Sequence, residues 1–354
     1  MKLHECDILI IGAGPAGSSA ATAASKAGVD VLMIERRTVI GQPVKCAEYI
    51  PAQLLGKVPV SRRCIAQQIH AMRTFFPDGK TTVLSGEGFT IHRHLFDQTL
   101  AENAQKQGAR LLTGIKAVDL IDGIVRVDTA DGRLDAILPK IIIGADGPHS
   151  IVGKWMGSIN DHMIRALQVR ANLVSPMEIT EIYFNESFFG GYGWLFPKGN
   201  KANIGIGLVD GHQKKQSIQE LLSQFVQRLK ELGKIDMIEK GYTGGWAPST
   251  PRSLIRKKNF MLVGDAAGHT HPITGAGTPQ AVIDGHMAGK WAAMAIKENS
   301  IEVLANYETE WNDMFGEAYQ RASIRRQLME TQWNNLNDVI KMFWPGFREY
   351  YGKA

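Results

Sequence analysis

The sequence predicts an α/β fold around an open, mostly parallel sheet. Three short apolar runs carry that reading: ILII at residues 8–11, IIIG at 141–144 and FMLV at 260–263, each leading into a glycine-bearing turn. Runs of this length, bounded by turn residues, read as strands buried on both faces, as in sheets covered by helices. Alternating runs over 65–92 and 164–210 add a second, β-rich part, and a helical stretch closes the chain.

The first unit is the most specific. In residues 7–35, DILIIGAGPAGSSAATAASKAGVDVLMIE, a strand leads into Gly12, Gly14 and Gly17. An Ala/Ser-rich helix then runs to Gly28, and the strand VDVLMI closes on Glu35. Gly12 permits the tight turn, Gly14 lets backbone approach a pyrophosphate, and Gly17 lets helix and strand touch. The helix N-terminus turns unpaired N–H groups and positive dipole toward phosphates. Glu35 stands eighteen residues beyond Gly17, where a carboxylate accepts from ribose hydroxyls. A strand–turn–helix–strand with that acid in place reads as a dinucleotide site.

The later strand ends distinguish FAD from NAD. Residues 141–150, IIIGADGPHS, end in Gly144-Ala145-Asp146-Gly147. Residues 260–277, FMLVGDAAGHTHPITGAG, repeat the design with Gly264 and Asp265, followed by Gly275, Ala276 and Gly277. Each sets an Asp at the carboxyl end of a strand, where open α/β sheets bind ligands. A ribityl chain needs such an acceptor, so the three strand ends together favour FAD. Taken singly, Asp146 and Asp265 also suit a turn or a helix cap.

Composition narrows the class. At 354 residues the chain can bury a large core, and 44% hydrophobic with 21% charged residues is ordinary for a globular protein. The net charge of +5 suits an anionic cofactor or an acidic membrane surface, and no Lys/Arg run points to nucleic acid. Cys6, Cys46 and Cys64 share no metal-ligand spacing and form no even-numbered disulfide framework, so no metal is expected. A reducing, cytoplasmic setting follows, and neither a signal peptide nor a spanning segment is expected.

With these motifs in place the chain resembles FAD-dependent oxidoreductases of the aromatic-hydroxylase-like group. Within that group it is similar to the geranylgeranyl reductase family, over roughly residues 1–300. The resemblance implies a Rossmann-like FAD-binding domain with an inserted β-sheet substrate domain and a short C-terminal helical region. On this reading 1–60, 93–155 and 255–300 form the discontinuous FAD-binding domain. Residues 61–92 and 156–254 form the substrate domain, and 301–354 the C-terminal region. Gly12, Gly14, Ala16, Gly17, Glu35 and Arg36 would hold the ADP half, and Asp146 would lie near the flavin and a transient NAD(P)H. Gly264 and Asp265 would meet ribityl or pyrophosphate, and Gly275, Ala276 and Gly277 a phosphate or the flat ring. Arg93, in IHRHLFDQTL, matches a family arginine opening a helix beside the cofactor; a surface charge at a helix start is the plainer alternative.

The remaining elements follow in order. Residues 65–92 predict short strands around the turn Pro77-Asp78-Gly79, and 164–210 further strands, including IRALQVRANLV and ANIGIGLV. SIQELLSQFVQRLKELG, 217–233, predicts an amphipathic helix stopped by Gly233. Residues 301–333 predict one long amphipathic helix, and the tail MFWPGFREYY is expected to pack against the body. GGYGWLFPKG, 190–199, puts Tyr192, Trp194 and Phe196 on one strand face, an arrangement that serves a core as readily as a pocket. In the family, a YxWxFP motif lines the pocket for a polyprenyl chain, and this segment matches it.

The segment GQPVKCAEYIP, 41–51, reads as neither strand nor helix. Relatives carry a Cys-Gly-Glu-Gly-like stretch there that reaches toward the flavin; here it is Cys46-Ala47-Glu48-Tyr49, with both glycines replaced. Cys46 is then an active-site thiol, or else a plain buried cysteine. The implied activity is FAD-dependent reduction of an isoprenoid C=C bond, with NAD(P)H or a protein as electron donor and a hydrophobic or lipid substrate. Cys46, Glu48, Tyr192 and Trp194 are the candidate catalytic residues, Glu48, Tyr192 or a water being the candidate acid. The alternative is a monooxygenase that hydroxylates an aromatic ring, a tryptophan residue of a partner protein being one such substrate. A halogenase lacks support because the WxWxIP pattern is absent, and a storage protein would not need an aromatic wall. The setting is cytoplasmic, with peripheral contact at the inner membrane face as the variant.

Overall fold

The computed structural model describes residues 3–352 apart from 130, 131, 133, 210 and 212–215. The apolar runs become neighbouring parallel strands. In the first sheet β1 (Leu3–Ile11) lies between β2 (Val31–Glu35) and β9 (Leu134–Gly144), with Ile8 opposite both Val31 and Ile141. The β6 strand (Arg110–Thr113) extends the sheet beyond β2, and β17 (Phe260–Leu262) and β16 (Arg256–Lys257) extend it beyond β9. A hairpin of β7 (Ile115–Ile121) and β8 (Ile124–Thr129) joins through β9. Ile8 to Ile11 are all buried, each contributing about 1.5–3 kcal/mol.

Helices α1 (Pro15–Lys26), α3 (Arg93–Lys106) and α6 (Thr278–Lys297) cover this sheet. Contact between α1 and α6 is backbone on backbone. A Cβ on Gly285 would stand 2.1 Å from the Ala16 carbonyl oxygen, and one on Gly289 equally close to that of Ala20. Glycine at these two positions is what lets two helices and their N-termini come together.

The second sheet runs β14 (Ile235–Ile238), β10 (Met163–Leu173), β13 (Lys201–Val209), β12 (Tyr192–Lys198), β11 (Ile179–Tyr183), β4 (Ile65–Phe75), β5 (Thr81–Ile91) and β3 (Tyr49–Pro51). The strand β15 (Thr243–Pro248) also pairs with β10. Two expectations change here. Residues 65–92 form two eleven-residue strands rather than several short ones. The end of the 41–51 segment is a strand, because Tyr49–Pro51 pairs with the edge of β5. The sheet has two different faces. Leu195, Ile204 and Ile206 pack under α5 (Ile218–Glu231), which starts on the Ser217/Glu220 capping box. Trp194 and Phe196 point the other way.

Short helices α2 (Ala52–Leu55) and α4 (Ile151–Met156) complete the body. The expected long helix over 301–333 is broken. A turn Ile301–Leu304, α7 (Ala305–Trp311), a π-helical turn Asn312–Gly316 and α8 (Glu317–Thr331) take its place, followed by α9 (Leu336–Phe343). Gly316 is a poor helix former, and with the wider turn Trp311 and Tyr319 both pack on His269, at 3.4 and 6.5 Å between rings. The tail packs as expected: Phe343, Trp344 and Tyr350 are buried with Trp194 and Phe196.

Candidate active site

The glycine loop has the geometry its spacing implies. Gly12 has φ 108°, and a Cβ there would lie 2.3 Å from the Ala145 carbonyl oxygen, so the turn is tied to the end of β9. A Cβ on Gly17 would stand 1.9 Å from the Gly12 oxygen. Gly14 differs: nothing lies within 4 Å of its Cβ position. It is the N-cap of α1, and no side chain caps it. The Glu35 carboxylate reaches back to the loop, with Oε2 accepting from the Ala13 amide and Oε1 from that of Arg37, both at 3.0 Å. Ala16 is buried beside Gly264, and Arg36 is exposed.

A second strap faces this loop. Gly264 (φ 59°) follows β17, and its amide donates to Asp284 Oδ2 at 2.7 Å. The same oxygen lies 2.6 Å from His269 Nδ1, and both side chains are closed to water. Asp265 Oδ1 accepts from the Thr270 hydroxyl at 2.7 Å. Burial pushes its carboxyl up, while Thr270 and Arg93 act in the opposite sense. Beyond it, burial pulls His271 down to about 4, so its Nδ1 is a neutral acceptor for the amides of Ile273 and Thr274. That turn holds Gly275 (φ 67°) and Ala276 exposed, and Gly277 is the N-cap of α6, again without a side-chain cap. Two uncapped helix N-termini, held together by the α1–α6 contact, are a donor set for a pyrophosphate. These features fit FAD.

Asp146 is occupied locally. Its Oδ1 accepts from the Ser150 hydroxyl at 2.5 Å and its Oδ2 from the Ile151 amide at 2.6 Å, so it organises the start of α4. Arg93 opens α3 and turns inward. Its Nε donates to Asp97 at 2.6 Å and Nη1 reaches Thr278, the first residue of α6, at 3.5 Å. Burial opposes its charge, but Asp97 and Cys46 more than offset that and raise its pKa.

The 41–51 segment lies across the inner face of the second sheet. Gln168 donates to the Cys46 carbonyl at 3.0 Å and Asn203 to that of Ala47 at 3.1 Å. Cys46 is half-buried, and its Sγ accepts from the Glu48 amide at 3.2 Å. Glu48, at φ 69°, is buried and surrounded by donors: the Arg93 amide at 2.9 Å, Asn203 Nδ2 at 2.9 Å and Lys198 Nζ at 2.6 Å. Burial works to raise its pKa, yet Lys198 and these hydrogen bonds leave it lowered. The expectation of Glu48 as proton donor therefore does not fit its surroundings: both oxygens accept, and the ionised form is favoured. Lys198 is pulled down by burial despite Glu48. The donor set around Glu48 decides for an ionised pair.

Tyr192, Trp194 and Phe196 share one face of β12, as the alternation implies. The indole of Trp194 lies over Gly205, where a Cβ would meet it at 2.3 Å. The Tyr192 hydroxyl donates to the Thr274 carbonyl, joining this wall to the second strap. Phe196 and Tyr49 have ring centroids 5.9 Å apart, and Tyr192 and Trp344 5.3 Å. Tyr192 is fixed as a neutral phenol because burial raises its pKa. Sequence reasoning missed Lys198, Asn203, Arg170 and Asp97. Parity exposes the first three once β12 is accepted: Lys198 follows Phe196 on the same face, and Phe196, Asn203 and Arg170 are direct cross-strand neighbours. Asp97 lies one helical turn beyond Arg93.

The protein class follows from a two-strap cradle at the carboxyl ends of parallel strands, and a family described as FAD binding domain matches residues 5–322. The chain is an FAD-dependent oxidoreductase. Digeranylgeranylglycerophospholipid reductase of Methanothrix thermoacetophila is 34% identical over 337 residues, covering 89% of this chain and 85% of that protein. Digeranylgeranylglycerophospholipid reductase 2 of Methanococcoides burtonii is 36% identical over 344 residues, covering 92% and 84%. The solved structure of a geranylgeranyl bacteriochlorophyll reductase-like protein from Thermoplasma acidophilum matches with a TM-score of 0.87 at 27% identity, covering 99% and 94%. The chain belongs to the geranylgeranyl reductase family of FAD-dependent oxidoreductases. These relatives favour reductase over monooxygenase chemistry. No helix among the described residues is long and apolar enough to cross a membrane.

Proposed function

We propose that this protein reduces C=C bonds in the geranylgeranyl chains of an isoprenoid lipid. The observation that carries this is the meeting of three parts: the aromatic face of β12, the Cys46 segment lying across the same sheet face, and the glycine strap joined to it through Tyr192. A flat apolar wall suits a substrate without a polar handle at its reacting bond.

FAD, once reduced by NAD(P)H or a protein donor, would supply a hydride to one carbon of the double bond. Gly12, Gly14, Ala16, Gly17, Glu35 and Arg36 are proposed for its ADP half. The donors proposed toward pyrophosphate, ribityl and ring come from Gly264, Asp265 and the Gly275–Gly277 turn. Arg93, between Asp97 and Thr278, ties the start of α3 to the start of α6 beside the second strap, and Asp146 acts through the start of α4. Tyr192, Trp194 and Phe196 orient the alkene and exclude water. The second carbon needs a proton. Glu48 is ionised and Tyr192 donates to Thr274, so of the three candidates a solvent water is left to deliver it. With the hydride from the reduced cofactor and this proton from solvent, one turnover adds two hydrogens to the double bond. The proposed setting is cytoplasmic, with surface contact at the inner membrane face where such a lipid resides.

The test is product mass with dithionite-reduced enzyme and a geranylgeranyl lipid. A gain of two hydrogens per bond is expected, and oxygen incorporation into an aromatic substrate would overturn the reading. In the same assay Cys46→Ser should keep its FAD, since a hydroxyl can accept the same amide. Turnover should fall about a hundredfold, the scale on which small misplacements near reacting atoms act. Unchanged turnover would remove Cys46 from the site.

A further inference from the structure

The inner face of the second sheet changes character along its length. At one end it is aromatic, with Tyr192, Trp194 and Phe196. Past the Cys46–Glu48 segment it becomes cationic. Lys198 ends β12, Lys201 stands directly opposite it on β13, and Arg170 lies beside Asn203 on β10. These residues open into a cleft of about 530 Å³, whose far wall is Gln42, Pro43, Val44, His92 and His94 and whose rim carries Lys240. None of the glycine-loop, Asp265 or Gly275–Gly277 residues lines this cleft. It adjoins the proposed cofactor cradle through Arg93, which stands between His92 and His94 and whose amide donates to Glu48, and Glu48 is common to it and to the catalytic segment.

The charges in the cleft do not cancel. Arg170, Lys198, Lys201 and Lys240 face two carboxylates, Glu48 and Glu239, so the lysine, arginine and glutamate side chains of the lining sum to +2. The tight pairs are Lys198 with Glu48 at 2.6 Å and Lys201 with Glu239 at 2.5 Å. Arg170 donates from Nε to Asn203 Oδ1 at a long 3.4 Å, its terminal nitrogens lie 3.6 Å from Glu48 and 4.0 Å from Glu239, and its side chain is 40% exposed. A guanidinium fork in that position is free to take a phosphate through two hydrogen bonds. His92 feels the same field, for partial burial and then Lys198 hold it below its ordinary value.

We propose that this cleft is a phosphoryl subsite, in which Arg170 and Lys240, backed by Lys198 and Lys201, receive the phosphate of a co-reactant that meets the catalytic segment from this side. The chemistry has two sources, the phosphate head of the isoprenoid lipid or the pyrophosphate of a nicotinamide dinucleotide. This deepens the reductase reading and rests on it only for the choice between those sources.

Inorganic pyrophosphate titrated into FAD-loaded enzyme at low salt is expected to bind. Arg170→Ala and Lys240→Ala should each weaken it about tenfold, the usual scale for one charged hydrogen bond, with the flavin-to-protein ratio unchanged. Two further measurements identify the source. A rise in the NADPH concentration for half-maximal anaerobic flavin reduction assigns the site to the dinucleotide. Loss of the preference for geranylgeranyl phosphate over geranylgeraniol, in dithionite-reduced enzyme, assigns it to the lipid. Failure of wild-type pyrophosphate binding, or equal binding by both variants, overturns the proposal. So does weakened pyrophosphate binding with neither source affected, which would mark an adventitious ion only. If wild-type enzyme reduces no isoprenoid at all, the proposed function falls while the pyrophosphate titration still decides the subsite.

Discussion

Glu48 and Lys198 form a pair with almost no access to water, their side chains 1% and 9% exposed. Removing one partner of a buried pair leaves an uncompensated charge and costs about 3–5 kcal/mol. Glu48→Gln should therefore lower the unfolding free energy by about that amount, read from a denaturant midpoint; a loss below 1 kcal/mol would show that the pair is solvated. Its pH dependence has a definite sign. The folded pKa of Glu48 is lowered, so its stabilisation is complete above the unfolded value of about 4.3 and disappears as pH falls through the lower folded value. Wild type should lose this contribution in acid, and Glu48→Gln should be flatter there. Cys46 and Glu48 were legible as site candidates only through the resemblance of Cys46-Ala47-Glu48-Tyr49 to a family stretch. The protonation state of Glu48 was not, because it depends on Lys198 and Asn203, each some 150 residues away in sequence.

At the scale of elements, the strand–glycine–helix unit separates binding from folding. Gly14 faces open space, and Gly17 faces the Gly12 carbonyl at 1.9 Å from a Cβ position. Gly14→Val should leave apoprotein stability within about 1 kcal/mol of wild type, as surface changes usually do, and should largely abolish FAD binding. Gly17→Ala should cost about 1–3 kcal/mol in the apoprotein as well, because overpacking forces the backbone apart. Equal melting temperatures for the two apoproteins would refute this division of roles. Here the sequence was nearly sufficient. Glycine spacing and the distance to Glu35 report local backbone geometry, which is encoded within one strand–helix–strand unit. The region 301–333 was harder: its apolar periodicity suits a helix, but the π-helical turn at Asn312–Gly316 answers to His269, which lies on another part of the chain.

For the whole molecule, the C-terminal tail covers the aromatic face of the second sheet. Trp344 is buried and meets both Tyr192 and Phe184 at 5.3 Å between ring centroids. Trp344→Ala should cost about 3–5 kcal/mol, the range for losing a large core aromatic, measured by urea unfolding. A cost under 1 kcal/mol would show that the tail only rests on the aromatic wall.

Besides the family resemblance, what the sequence determined by itself was the α/β class, the parallel character of its three apolar strands and the FAD motifs. Each of these is written in short-range patterns, in strand length, glycine spacing and alternation, that survive without knowledge of partners. The tertiary structure decided what the side chains do. It tied Asp146 to the start of α4, turned Glu48 from a candidate acid into an ionised acceptor, and set Lys198 and Arg170 at the far end of the aromatic face. Those outcomes depend on burial and on charges brought together across strands, and electrostatic energy depends on distance in space and local solvation rather than on separation along the chain.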